Sequence, residues 1–132
     1  LSHMAKDANA KPNLMNVVWF TLKPGREAGD AFTDSMKKIA AAAAKANWSN
    51  HFVVQRVRGG DKDFPDYILV SQHKNWADYG AEPNPTLWKM VEGVYGQAEA
   101  DAIRKSINGA IESLHSHVNK YNEELTYTAS SK

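Results

Sequence analysis

Leu14-Met15-Asn16-Val17-Val18-Trp19-Phe20-Thr21-Leu22 is the stretch on which the fold turns. At the two-residue period of a strand, one side carries Leu14, Asn16, Val18, Phe20 and Leu22, and the other Met15, Val17, Trp19 and Thr21. A strand with one face in water alternates apolar with polar. This one is apolar on both faces, so both must be covered. The alternation does not decide which cover meets Trp19 and which meets Asn16.

Working outward, Lys23-Pro24-Gly25 is a turn, and a helix is expected from about Arg26 to Ala46 with Phe32, Met36, Ile39, Ala40 and Ala43 on one face. A second strand is read at His51–Arg58 and a third at Asp66–Gln72, joined by a hairpin loop that opens with Gly59-Gly60. Asn84-Pro85 reads as a helix cap followed by a first-turn proline, opening a short helix through Leu87, Trp88 and Val91. Ile103, Ile107, Ala110, Ile111, Leu114, Val118 and Tyr121 form one helical stripe, which predicts a last helix over Gln97–Tyr121. A short fourth strand is then expected at Leu125–Thr128.

The order strand, helix, strand, strand, helix, strand is that of an α+β, ferredoxin-like βαββαβ sandwich. Both crossovers place their helices on one face of the sheet and leave the other bare. Four strands about 4.8 Å apart and five residues long present roughly 300 Å² in projection. At about 25 cal/mol per Å², covering such a half-apolar face is worth a few kcal/mol, comparable with the stability of many domains. A second copy packed face to face is the economical cover, which makes the expected assembly a dimeric α/β barrel.

The bulk properties fit one domain of 132 residues, 42% hydrophobic and 23% charged. A net charge of +1 gives no electrostatic reason to expect nucleic acid or an anionic membrane. No apolar run approaches the roughly 18 residues of a spanning helix. Without cysteine there are no disulfides, thiolate metal sites or cysteine nucleophiles. Leu1-Ser2-His3-Met4 resembles the remnant of a cleaved tag, and Ala5–Asn13 is a polar stretch expected to be disordered. The domain is therefore bounded at 13–128, with 1–12 before it and a tail at 129–132. Such a beginning fits either a cytoplasmic protein or an exported one lacking its signal peptide, and the compartment stays open.

The segment Leu22-Lys23-Pro24-Gly25-Arg26 with its helix, and Gln72-His73-Lys74-Asn75-Trp76-Ala77-Asp78-Tyr79 after the third strand, resemble the dimeric α/β-barrel superfamily. Its members include antibiotic-biosynthesis-type monooxygenases, haem-degrading monooxygenases, EthD-like and NIPSNAP-like proteins. The resemblance implies a homodimer with a pocket between sheet and helices or inside the barrel. In the haem-degrading branch, Asn16 and Trp76 match two functional positions, but the short helix offers Leu87, Trp88 and Met90 where that branch has an axial histidine. No cofactor is expected. The quinol-type oxygenases also work without one, using Asn, Trp and Tyr; Asn16, Trp19, Trp76 and Tyr79 are the residue types available.

His73, at the junction of strand and loop, is the best candidate for a catalytic group, since imidazole is the side chain suited to moving protons at neutral pH. Its alternative is a structural bond to the turn. Trp76 and Tyr79 share a face if their segment is helical, either lining a pocket or capping the core. Trp88 sits on a helix that would cover a pocket or pack on a partner. Asn16 is the polar residue on its side of the first strand, and burial would require a side chain, water or ligand to bond it. Arg56 and Arg58 share a side with Phe52 and Val54, as a rim or an anion contact. His51 reads as an edge residue. His115 and His117, read as helical, point about 200° apart and cannot chelate one metal ion.

The reading is a homodimeric α/β-barrel protein holding a small apolar or aromatic ligand among Asn16, Trp19, His73, Trp76, Tyr79 and Trp88. The alternatives are a cofactor-independent monooxygenase or isomerase on an aromatic substrate, with His73 as base, and a dimerisation module without catalysis.

Overall fold

The computed structural model describes residues 1–4, 14–120, 122, 124 and 125. The described elements are β1 (Leu14–Leu22), α1 (Arg26–Lys45), β2 (Phe52–Arg56), β3 (Tyr67–His73), α2 (Trp76–Gly80), α3 (Leu87–Tyr95), α4 (Gln97–Ala110) and β4 (Ile111–Lys120). They build one sheet in the order β2-β3-β1-β4, every neighbouring pair antiparallel. β1 is central, as its two-faced pattern requires.

Gly25 turns the chain from β1 into α1 at φ 108°, a conformation in which a Cβ is strained. Apolar residues at three- and four-residue spacing then bury Phe32, Met36, Ile39 and Ala43 against the sheet. Phe32 is fully buried, its ring centroid 5.2 Å from Phe20 and 4.7 Å from Tyr67. Met90 and Val91 of α3 and Ile103 and Ile107 of α4 complete the same core. Lys38 of α1 and Glu99 of α4 meet at 2.9 Å on the surface, and that bond raises the lysine pKa. No described helix is long and apolar enough to cross a membrane.

The expected last helix is corrected. α4 stops at Ala110, and Ile111–Lys120 is β4, paired with β1 from Leu14↔Lys120 to Leu22↔Ile111. The stripe misled because Leu114 and Val118 are four apart, a spacing that a helix face and one face of a strand both satisfy. Tertiary pairing with β1 settles the choice. Asn108-Gly109 marks the helix end, and Lys23 N–H donates to Ala110 C=O at 2.9 Å, tying the junction to the end of β1. Of the strand expected at Leu125–Thr128, Leu125 lies in a turn and residues 126–128 lie outside the described residues, as do 5–13, 121, 123 and 129–132.

Two smaller differences have local causes. α3 is capped by Thr86 rather than Asn84, because Pro85 belongs to the preceding loop, where its C=O accepts the Trp48 indole N–H at 2.7 Å. Residues 1–4, set aside above, lie along the free edge of β2. His3 exchanges two backbone hydrogen bonds of 2.8 Å with Phe52, and Ser2 Oγ accepts the Val54 N–H at 2.9 Å.

Candidate functional site

The sheet register resolves the two sides of β1. Leu14, Asn16, Val18, Phe20 and Leu22 face the helices, where Phe20, Val18 and Leu22 join the core. Met15, Val17, Trp19 and Thr21 face away. So Asn16 and Trp19 lie on opposite sides of the sheet and do not line one pocket within a chain.

On the helix side, the start of β1 meets the end of β3. Asn16 stands opposite Ser71, and Leu14 opposite His73. Directly paired residues on neighbouring strands hold their side chains on one face, with Cβ atoms about 5 Å apart. Ser71 and His73 are two apart on β3 and therefore also share that face. His73 Nε2 is 3.4 Å from Ser71 Oγ, and its Nδ1 is 3.5 Å from Asp78 Oδ2. The His73 side chain is only 11% exposed. Among the described residues, the buried Asn16 Oδ1 has no hydrogen-bond partner.

The single turn α2 supplies the rest. Asn75 caps it, its side chain accepting the Asp78 N–H at 2.8 Å, while Asp78 Oδ2 reaches back to the Lys74 N–H at 3.0 Å. These two bonds aim the Asp78 carboxylate at the histidine. Tyr79 lies edge-on to the His73 ring at 5.3 Å, and Trp76 edge-on to Tyr79 at 6.1 Å. Both aromatics are exposed, Trp76 by 59% and Tyr79 by 37%. Trp88 is elsewhere engaged, partly buried against the core with the Arg104 guanidinium 5.4 Å from its ring centroid.

Thus Asn16, His73, Trp76 and Tyr79 gather at one end of the sheet. Ser71 and Asp78 join them, and sequence reasoning passed over both. The signals were present: Ser71 precedes His73 by one strand period, and Asn75-Trp76-Ala77-Asp78 has the spacing of a helix cap.

A groove of about 480 Å³ lies at the opposite end of the sheet, beside Lys23, Arg26, Asp30, Thr33, Arg56 and Asp66. Asp66 is bound there to the Leu22 N–H at 2.8 Å. His51 stacks on His3 at 4.6 Å, and burial, aided by the charge of His3, lowers its pKa.

The outward face carries Met15, Val17 and Trp19 on β1 with Val53 of β2 and Ile68 and Val70 of β3, in register across the three strands. Among the described residues, the core cluster takes nothing from this face. Trp19 remains 37% exposed. His115 and His117 sit on this face too, which corrects their helical reading: on a strand, residues two apart point the same way. His117 meets Trp19 edge-on at 5.5 Å.

Comparison with solved structures identifies the architecture. A dimeric ferredoxin-like protein from an uncultured marine organism superposes with a TM-score of 0.55 at 9% identity, covering 89% of this chain and 95% of the other. The chain has a ferredoxin-like fold. A candidate antibiotic biosynthesis monooxygenase from Bordetella bronchiseptica (TM-score 0.48, 15% identity, 85% and 99% covered) is also similar. So is a dimeric ferredoxin-like protein of unknown function from Bacteroides fragilis (0.46, 17%, 82% and 95%). No family model and no curated protein sequence matches.

Proposed function

We propose that this protein is a homodimer that binds a small, largely apolar or aromatic ligand at the Asn16–His73 cluster. The observation that carries the ligand site is the buried Asn16 Oδ1, unbonded among the described residues. Leaving a buried acceptor unpaired costs about 1–3 kcal/mol, and a ligand donor would remove that cost. Trp76 and Tyr79 supply exposed aromatic surface beside it, suited to a flat apolar body with one polar handle.

The dimer is supported by the outward face. A two-fold pairing sets that apolar surface against an identical one, so each copy covers the other. The marine neighbour with the same fold is described as dimeric.

A second reading has a specific observation in its favour. With Asp78 3.5 Å from Nδ1, the His73 imidazole is oriented to carry its proton there and present Nε2, 3.4 Å from Ser71 Oγ, as a base. That suits a cofactor-independent isomerase or monooxygenase acting on an aromatic substrate.

Light scattering is expected to give twice the chain mass. Titration of isotope-labelled protein with 1-naphthol, indole and benzoate is expected to shift the Asn16 side-chain amide and the Ser71, His73 and Tyr79 signals saturably. If none of the three moves these signals up to millimolar concentration, the ligand site is refuted and a pure dimerisation module remains. A monomer at micromolar concentration refutes the dimer.

A further inference from the structure

We propose that Ser71, His73 and Asp78 form a nucleophilic relay, and that the protein hydrolyses small carboxylic esters with an apolar or aryl group. The proposal deepens the reading of the Asn16–His73 cluster as a ligand site and rests on it.

The three side chains stand in the order such chemistry needs. The Asp78 carboxylate is on Nδ1 and the Ser71 hydroxyl on Nε2, at 3.5 and 3.4 Å. A carboxylate at one ring nitrogen fixes the proton there, so the other nitrogen accepts from the serine. Both contacts are longer than a tight hydrogen bond, as catalytic contacts commonly are before substrate is bound. Their supports are rigid: Ser71 and His73 lie on β3, a strand bonded on both sides, and Asp78 is held by its bond to the Lys74 N–H.

Asn16 supplies the fourth requirement. It is directly opposite Ser71, and among the described residues its buried Oδ1 has no hydrogen-bond partner. The NH2 of that amide, beside the nucleophile, is the group suited to donate to a developing oxyanion, while Oδ1 accepts from a donor on the substrate. Tyr79 stands next to His73 and Trp76 next to Tyr79, a surface for the apolar part of the ester.

The sequence of steps balances. Ser71 Oγ attacks the ester carbonyl carbon as its proton passes to His73 Nε2, and the carbonyl oxygen takes the negative charge facing the Asn16 amide. The bond from carbon to the alcohol oxygen then breaks, and the leaving alkoxide takes the proton from Nε2. This leaves an acyl group on Ser71. A water gives its proton to Nε2 and attacks that carbonyl; Ser71 Oγ departs and recovers the proton. The net reaction is ester plus water to carboxylic acid plus alcohol. Asp78 is a positioning residue throughout.

The test uses the full chain. A fluorophosphonate is incubated with the protein and the adduct mapped by mass spectrometry, while p-nitrophenyl butyrate reports turnover. Binding of the anilide isostere, N-(4-nitrophenyl)butanamide, is followed separately by the NMR signals of the cluster. The expected result is an adduct on Ser71 and loss of both adduct and more than about a hundredfold of turnover in Ser71→Ala. Asp78→Asn is expected to depress turnover comparably with anilide binding retained, and Asp78→Glu to restore part of it. No adduct on Ser71, or wild-type turnover in Ser71→Ala, overturns the relay. If the anilide still binds in that case, the ligand site stands and only the chemistry falls; if it does not bind either, both fall.

Discussion

Trp19→Ala tests the dimer at the residue where most is at stake. Trp19 is 37% exposed on the outward face of β1. A tryptophan side chain presents about 250 Å² when open, so roughly 90 Å² of it awaits cover in each copy. At about 25 cal/mol per Å² this is about 2 kcal/mol per copy, and the two-fold doubles it to over 4 kcal/mol per dimer. The dissociation constant is therefore expected to rise about a thousandfold. Sedimentation equilibrium from submicromolar to submillimolar protein measures it directly. Trp76→Ala removes a more exposed tryptophan, but on α2, and is the control expected to leave the constant unchanged. A Trp19→Ala protein that dimerises as tightly as the parent would refute the placement of the interface on this face.

Asn16→Leu replaces the amide, with its buried and unbonded Oδ1, by an apolar group of similar volume. It is expected to raise stability by about 1–3 kcal/mol in urea unfolding while abolishing probe binding at the cluster. His51, held below the ordinary histidine pKa by burial and by His3, binds fewer protons when folded than when unfolded. Its contribution to stability is thus complete above about pH 6.5 and is lost as pH falls through the lowered value, so melting temperature declines there. His51→Gln should flatten that slope. Asn75→Ala removes the cap of α2, a loss of about 1 kcal/mol confined to one turn. Amide exchange should quicken at Ala77–Tyr79, and any turnover that needs Asp78 should fall with it.

The sequence disclosed the sheet and its bare face because those follow from local arithmetic. Leu14–Leu22 has the period of a strand on both faces, and Phe32–Ala43 has that of a helix, with no competing pattern in either. Ile111–Lys120 failed because its few apolar residues satisfy two periods at once and only the partner strand distinguishes them. The site divides in the same way. His73, Trp76 and Tyr79 are near in sequence and were found together. Asn16 and Ser71 meet only through the β1–β3 register, and the sides of Asn16 and Trp19 became known only when the helices were seen to pack on one of them.

The register of β4 has a further consequence. Thr21 pairs with Ser113 but Leu22 pairs with Ile111, so Glu112 is one residue more than the ladder needs, and the bulge it makes turns Ile111 toward the helices. Elsewhere in β4, removing a residue would exchange its inward and outward sides from that point on. At the bulge, where Glu112 or its neighbour Ser113 can be lost, the count can drop by one and leave Ile111 opposite Leu22. A deletion scan along β4, read by thermal melting, should find this position the tolerant one: the sheet carries its own spare residue, and length variation in this strand has a single place to go.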